Sequence, residues 1–378
     1  MKKHLVLVGG GHAHMTTLLH LADYIKRGHR VTLISPSPYH YYSGMGPGML
    51  SGLYEDRQVR FHIQKMAMDR GGVFIEDRVA RIDPGNRMLF LAAGGSIAYD
   101  VASFNVGSEV PLDGIAAPQE RIIPVKPISN LRYARHSILE EMHEKRLRLL
   151  VVGGGAAGVE ISGNLWRLVH GNGGSAEITL VAGEQLLKSF PSKVRRLALA
   201  SLSSRNISVL EGMKVQTAGN LSATCSDSSS FPYDYAFIAV GVKPPALFRD
   251  SGLPLGQDGA GLLVNRRLQS VAYPELFGGG DCISLEGHRL ARVGVYAVRQ
   301  NPVLHCNLMA ALEGAEMKVF SPDGSYMLIM NMGNDRGILW KNGWVFHGRL
   351  AFVLKDFIDR RFMNKFRVSG EMTGTSND

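Results

Sequence analysis

The chain has 378 residues, 45% of them hydrophobic and 20% charged, so a folded protein of two or three domains is expected and an unfolded chain is excluded. A net charge of +9 calls for an anionic counterpart, but no nucleic-acid-binding motif accompanies it; anionic cofactors, an anionic membrane surface or a generally basic exterior remain. No apolar run approaches the roughly 20 residues of a membrane span, the apolar stretch after Lys2 and Lys3 is too short for a signal peptide, and Cys225, Cys282 and Cys306 show no zinc or Cys-x-x-Cys spacing, so a reducing cytoplasm is the expected setting.

In chain order, residues 3–8 read as a strand, 12–27 as a helix stopped by Gly28, and 30–35 as a second strand. Gly9, Gly10 and Gly11 stand between the first strand and the helix. The segment Val73–Val106 is broken at Asp83-Pro84-Gly85-Asn86 and Gly94-Gly95, and reads as an antiparallel meander. Pro111–Gly114 reads as a loop leaving this unit. A second β-α-β unit spans Arg148–Val181, with its own glycine run from Gly153 to Gly158. Another meander follows and ends in Tyr235–Val240; Val242-Lys243-Pro244-Pro245 then marks a second crossing. Residues 262–281 close on Gly278-Gly279-Gly280-Asp281. Met327–Phe346 reads as hairpin strands around Gly333-Asn334-Asp335, and Arg349–Arg367 as a basic amphipathic segment. Ser369–Asp378 is expected to be disordered.

Glycines after a strand let the backbone approach a pyrophosphate, and the helix that follows aims free N–H groups at it. One such turn is weak as a sign; two in the right context are strong. Together they can hold two dinucleotides face to face, the arrangement that passes a hydride from a nicotinamide to a flavin. The second turn is complete, with Gly153, Gly155 and Gly158. In the first, Gly9 and Gly11 match but His14 replaces the third glycine, so its helix is expected to sit displaced. Both units also lack the acid that normally bonds the ribose hydroxyls. Ser35-Pro36 ends one second strand and Ala182-Gly183 the other, with Glu184 slightly too far along but still able to reach. The choice between NADH and NADPH stays open.

The order of these features resembles the two-dinucleotide-binding flavoprotein superfamily of disulfide reductases, over nearly the whole chain. Gly9–His14, Tyr42–Met45 with Pro47-Gly48, Gly294–Gln300 and Leu354–Met363 look like its type II NADH dehydrogenase-like branch. They look closest to the flavoprotein module fused to selenophosphate synthetase in some organisms. The resemblance implies an α/β fold of two Rossmann-like domains, the NAD(P) domain inserted in the FAD domain, with a small C-terminal α+β region. The implied division is 1–115 and 244–315 for FAD, 116–243 for NAD(P)H, and 316–378 for an interface or membrane contact. Implied FAD ligands are Gly9, Gly11, His12, Ala13, Ser35, Pro47, Gly107, Gly280 and Asp281, the last toward the ribityl chain. Implied NAD(P)H ligands are Gly153, Gly155, Ala156, Gly158, Glu184 and Gly241.

Disulfide reductases carry a redox cysteine pair on the segment equivalent to Tyr42–Leu50. This chain has none there, so electrons are expected to leave the flavin directly, to a quinone or another small acceptor. Glu160, near the start of the second turn's helix, would face the nicotinamide, or merely support the helix dipole. Lys126 could stabilise the reduced flavin ring, or sit solvated. Arg299 and Gln300 resemble the quinone side of type II dehydrogenases. Cys282 could lie at the flavin edge and carry sulfur, as in sulfide:quinone oxidoreductases; Cys225 reads as surface loop and Cys306 as core. His12, His14, His40 and His62 form no metal-ligand pattern. Arg349–Arg367 could lie on the inner face of the cytoplasmic membrane, pack internally, or join a homodimer. The expected activity is that of an FAD-dependent NAD(P)H:quinone oxidoreductase. A sulfur- or selenium-handling flavoenzyme and a redox-sensing binding module are the alternatives.

Overall fold

The structure is a computed structural model that describes residues 2–113, 115, 120–219, 221–322 and 325–367. Two five-stranded parallel sheets organise it. The first runs Leu276–Gly278, Val101–Phe104, His4–Val8, Arg30–Ser35, Val73–Glu76. The second runs Ile122–Pro124, Tyr235–Ile238, Leu147–Val152, Ala176–Ala182, Ser208–Glu211. The second sheet's strands all fall between Phe104 and Leu276, so one β-α-β unit is inserted in the other. His4–Val8 is buried along its whole length, as a central strand covered on both faces must be.

Each half also carries a three-stranded antiparallel meander: Val79–Asp83, Met88–Leu91 and Ser96–Ala98 in one, Val215–Gly219, Ser222–Cys225 and Ser230–Pro232 in the other. The meander expected over Val73–Val106 is therefore shorter. Val73–Glu76 and Val101–Phe104 join the parallel sheet instead, pairing with Thr32–Ser35 and Leu5–Val8. Cys225 lies in a strand and is buried, which corrects its reading as surface loop.

The helix expected over 12–27 is divided. A 3-10 turn His12–His14 precedes the helix Met15–Leu19, and His20 leaves helical geometry before Leu21–Lys26. The long helix Gly294–Glu313 packs against the 3-10 turn and Met15–Leu19. A hairpin sheet, Leu328–Asn331, Gly337–Lys341 and Trp344–Gly348, leads into the helix Arg349–Phe366. Ser369–Asp378, and Gly114 of the first exit loop, lie outside the described residues.

Arg349–Phe366 is turned inside out. Lys355 and Asp359 are buried with Ala351, Met363 and Phe366, while Leu350 is 71%, Val353 57% and Phe357 60% exposed. Trp344, on the adjoining strand, is 80% exposed. Among the described residues no helix is long and apolar enough to cross a membrane.

Candidate functional site

The two glycine turns are built alike. Gly9 N–H donates to Ile34 O at 2.8 Å and Asn105 N–H to Val8 O at 2.8 Å. In the second unit Gly153 N–H donates to Val181 O at 2.8 Å and Ala239 N–H to Val152 O at 2.7 Å. Gly9 (φ +83°) and Gly153 (φ +129°) need their glycine: an added Cβ would overlap the carbonyl oxygens of Asn105 and Ala239. Gly107 and Gly241, just past the strands Val101–Phe104 and Tyr235–Ile238, also have positive φ and open space where a side chain would be. In the second turn Gly155 faces open space, and the helix Ala156–Gly171 starts on it with no side-chain cap. Uncapped N–H groups beneath an open glycine are what an anion requires. The residues present therefore fit a dinucleotide phosphate.

At Gly158 an added Cβ would overlap Gly153 O, so only glycine lets that helix begin at once. His14 stands at the equivalent place in the first turn. Its Nδ1 lies 2.6 Å from Gly9 O and its Nε2 2.8 Å from Ser103 Oγ. The first three residues tighten into a 3-10 turn to admit the ring, and the α-helix starts at Met15. The expected displacement of this helix takes that form.

Asn105 is the residue that the sequence reading missed. It is buried, accepts from Ala13 N–H at 2.8 Å, and donates to Gly279 O at 2.6 Å. One amide thus ties the first turn to the Gly279-Gly280-Asp281 strand end. Gly280 needs its glycine here (φ +77°), because a Cβ would stand 2.5 Å from Asn105 Nδ2. Gln300 serves the same strand end: its buried Oε1 accepts from Gly280 N–H at 2.7 Å. Gln300 is thus buried, with its side-chain oxygen engaged by this strand end.

Asp281 Oδ2 takes two bonds, from Ser108 Oγ and Lys126 Nζ, both at 2.8 Å. Lys126 is therefore paired and partly buried, not solvated. Ser35 is buried at the end of its strand, and Pro47 is buried in the helix Gly46–Leu50. Glu184 is exposed and paired with Lys188. Cys282 follows Asp281 but is wholly buried; its thiol donates to Phe104 O and Gly279 O, and burial pushes its pKa up to about 12. That environment disfavours the thiolate that carrying sulfur would need. Cys306 lies partly exposed on Gly294–Glu313 rather than in the core.

A polar cluster joins the second turn's helix to the C-terminal helix. Glu160 Oε1 accepts from Asn331 N–H at 2.7 Å. That bond turns it to the C-terminal hairpin. Burial pushes its pKa up to about 7, against the attraction of Lys355. Burial opposes the charge of Lys355, but Asp359 and Glu160 outweigh it and hold the ammonium charged. Lys355 Nζ donates to Gly44 O at 2.6 Å and to Asp359 Oδ2 at 2.7 Å. Tyr42 OH donates to Asp359 Oδ1 at 3.0 Å, and its ring stacks on Phe362. His12 meets the same aromatic wall, edge-on to His40 and near Tyr42 and Phe362, with Nε2 buried and without a hydrogen-bond partner among the described residues. The cysteine-free segment Tyr42–Leu50 is thus walled by aromatic rings and a proton-bearing cluster.

Burial holds His12 and His14 neutral, with pKa values lowered to about 4. In the unfolded chain both take a proton below about 6.5. Their contribution to stability is complete above that pH and is lost as pH falls toward 4, each on the order of 3 kcal/mol. Urea unfolding is expected to show a much lower midpoint at pH 4.5 than at pH 7. A His14→Asn variant, less stable at pH 7, is expected to lose less on acidification. Equal losses in the variant and the parent protein would show that His14 is not held neutral.

The family described as pyridine nucleotide-disulphide oxidoreductase matches residues 3–301. The chain is 26% identical over 317 residues to ferroptosis suppressor protein 1 of Taeniopygia guttata, covering 80% of each. It is 22% identical over 371 residues to the demethylphylloquinone reductase NdbB of Synechocystis, covering 94% of this chain and 90% of that one. Among solved structures, NDH2 of Plasmodium falciparum in complex with NADH shares its fold, with a TM-score of 0.80, 15% identity and 97% of each chain covered.

Proposed function

The chain belongs to the pyridine nucleotide-disulphide oxidoreductase family, and we propose that it acts there as an FAD-dependent NAD(P)H oxidoreductase with a quinone-like acceptor. One observation carries this reading: two equivalent glycine turns at the ends of two parallel sheets, beside a segment with no cysteine to act as a dithiol. Relatives named as a demethylphylloquinone reductase and as NADH-bound NDH2 support it. Dividing the dinucleotide halves near residues 115 and 243 belongs to the same reading.

Bound at the first turn, FAD supplies a two-electron relay from nicotinamide to quinone. Gly9, Gly11, His12 and Ala13 would hold its phosphates and Asp281 its ribityl hydroxyls, with Ser35, Pro47, Gly107 and Gly280 around them. Asn105 and Gln300 keep that strand end in place. Lys126 sets a positive charge beside Asp281, favourable to any developing negative charge nearby. Gly153, Gly155, Ala156, Gly158 and Gly241 would hold NAD(P)H. Reducing a quinone takes up two protons; Glu160, with a pKa near 7, holds one ready at neutral pH. Tyr42, kept protonated by burial, donates to the same cluster.

The test is anaerobic. NADH or NADPH should bleach the flavin absorbance of the purified protein, and quinones should restore it. A colourless protein, or one indifferent to both nucleotides, would overturn the reading. Restoration by sulfur compounds and not by quinones would overturn the acceptor.

The outward face of Arg349–Phe366 fits a membrane surface: Leu350, Val353 and Phe357 project beside Arg349, Arg360, Arg361 and Lys365. Anionic lipid vesicles should co-sediment with the protein. Replacing Leu350, Val353 and Phe357 together by Ser is expected to weaken that binding at least about 30-fold, from their buried area. Unchanged co-sedimentation would remove the assignment.

A further inference from the structure

Nucleotide pockets of this design place a carboxylate at the end of the second strand, where it bonds the ribose hydroxyls and repels a 2′-phosphate. Here Ala176–Ala182 ends on a buried alanine and continues into the exposed Gly183. A Cβ at Gly183 would meet only the stem of Lys214, at 3.8 and 3.9 Å from its Cβ and Cγ. Lys214 is fixed by its backbone: its N–H donates to Ser226 Oγ at 3.3 Å and its carbonyl accepts from Ser226 N–H at 2.9 Å. Its exposed ammonium has no carboxylate partner among the described residues.

The neighbouring acids are both engaged. Glu184 pairs with Lys188, and Glu184 O accepts from Gly212 N–H at 3.3 Å, which docks the two loops together. Glu211 takes Arg195 and Leu186 N–H, each at 2.6 Å. Among the described residues, Glu184 and Glu211 beside the strand end are each held by a cation, while Lys214 has no carboxylate partner.

We propose that this pocket selects a nucleotide with a 2′-phosphorylated adenosine ribose, so that NADPH is preferred, and that Lys214 is the residue that recognises the phosphate. The proposal rests on the second turn being the nicotinamide-nucleotide site.

The probes are 5′-AMP, 2′,5′-ADP and 3′,5′-ADP, titrated calorimetrically into the flavin-loaded full chain. The 3′-isomer carries the same added charge in another place, and so separates recognition from the pull of a basic protein. 2′,5′-ADP is expected to bind about tenfold or more tighter than the other two, the scale of one charge-assisted hydrogen bond. Lys214→Met should remove about tenfold of that affinity and leave 5′-AMP unchanged. Lys214 is exposed, so the fold should survive. Gly183→Asp, which the open space admits, should reverse the preference toward 5′-AMP. Equal binding of the two ADP isomers, or an undiminished advantage in Lys214→Met, would overturn the proposal. Failure of all three nucleotides to bind would instead remove the second turn as a nucleotide site.

Discussion

Gly9→Val is expected to leave the protein folded but colourless. Gly9 has φ +83°, and an added Cβ would overlap Asn105 O and stand 2.8 Å from its carbonyl carbon. A β-branched residue resists that backbone region, and the oxygen it meets belongs to the residue just past the inner strand Val101–Phe104. The turn must open, and with it goes the packing of the first turn against Asn105. Losing the phosphate cradle removes two or more charge-assisted hydrogen bonds, about 3 kcal/mol or more, and so weakens flavin binding at least about 100-fold. Visible absorbance after purification measures the loss, and far-ultraviolet circular dichroism checks the fold. Normal flavin content in this variant would show that the first turn does not hold the flavin.

The companion variant, Gly158→Val, should separate the two halves of the reaction. Its side chain would overlap Gly153 O of the same, second turn. The helix Ala156–Gly171 would be pushed from its strand and its N–H groups from the phosphates. Flavin should remain bound and be reducible by dithionite, while reduction by NAD(P)H should slow at least about 100-fold, the scale of about 3 kcal/mol. A normal rate would show that hydride does not arrive through this turn. Replacing the same helix-packing position in the first unit has a milder precedent within the chain: His14 already occupies it, by tightening one turn of helix.

The two strands flanking each glycine turn's helix, both glycine turns and the C-terminal hairpin were legible because their signals are local. An apolar run followed by glycines needs no distant partner to be read. Contributions from far along the chain were not legible. Asn105 gains its role from Ala13 and from Gly279, 92 and 174 residues away in sequence. Glu160 has a helix-start setting that suggests the nearby turn, but its partner Asn331 lies 171 residues on. The burial of Cys282 was not legible either, because sequence does not show that Phe104 O, 178 residues away, covers it. The C-terminal helix was misleading in another way. Its apolar arc is real, yet the face it buries holds Lys355 and Asp359, since Gly44 O and Tyr42 OH supply what those charges need.

That inversion carries a cost for dissection. The residues that turn outward and the residues that seal Tyr42 and Gly44 lie on one rigid rod, a few ångströms apart. Truncating the tail to produce a freely diffusing form would also strip Phe362 from His12 and Lys355 from Glu160. Attachment and turnover would fall together, and neither loss could be read as the cause of the other. Only outward substitutions that leave Lys355, Asp359 and Phe362 seated can tell anchorage from chemistry.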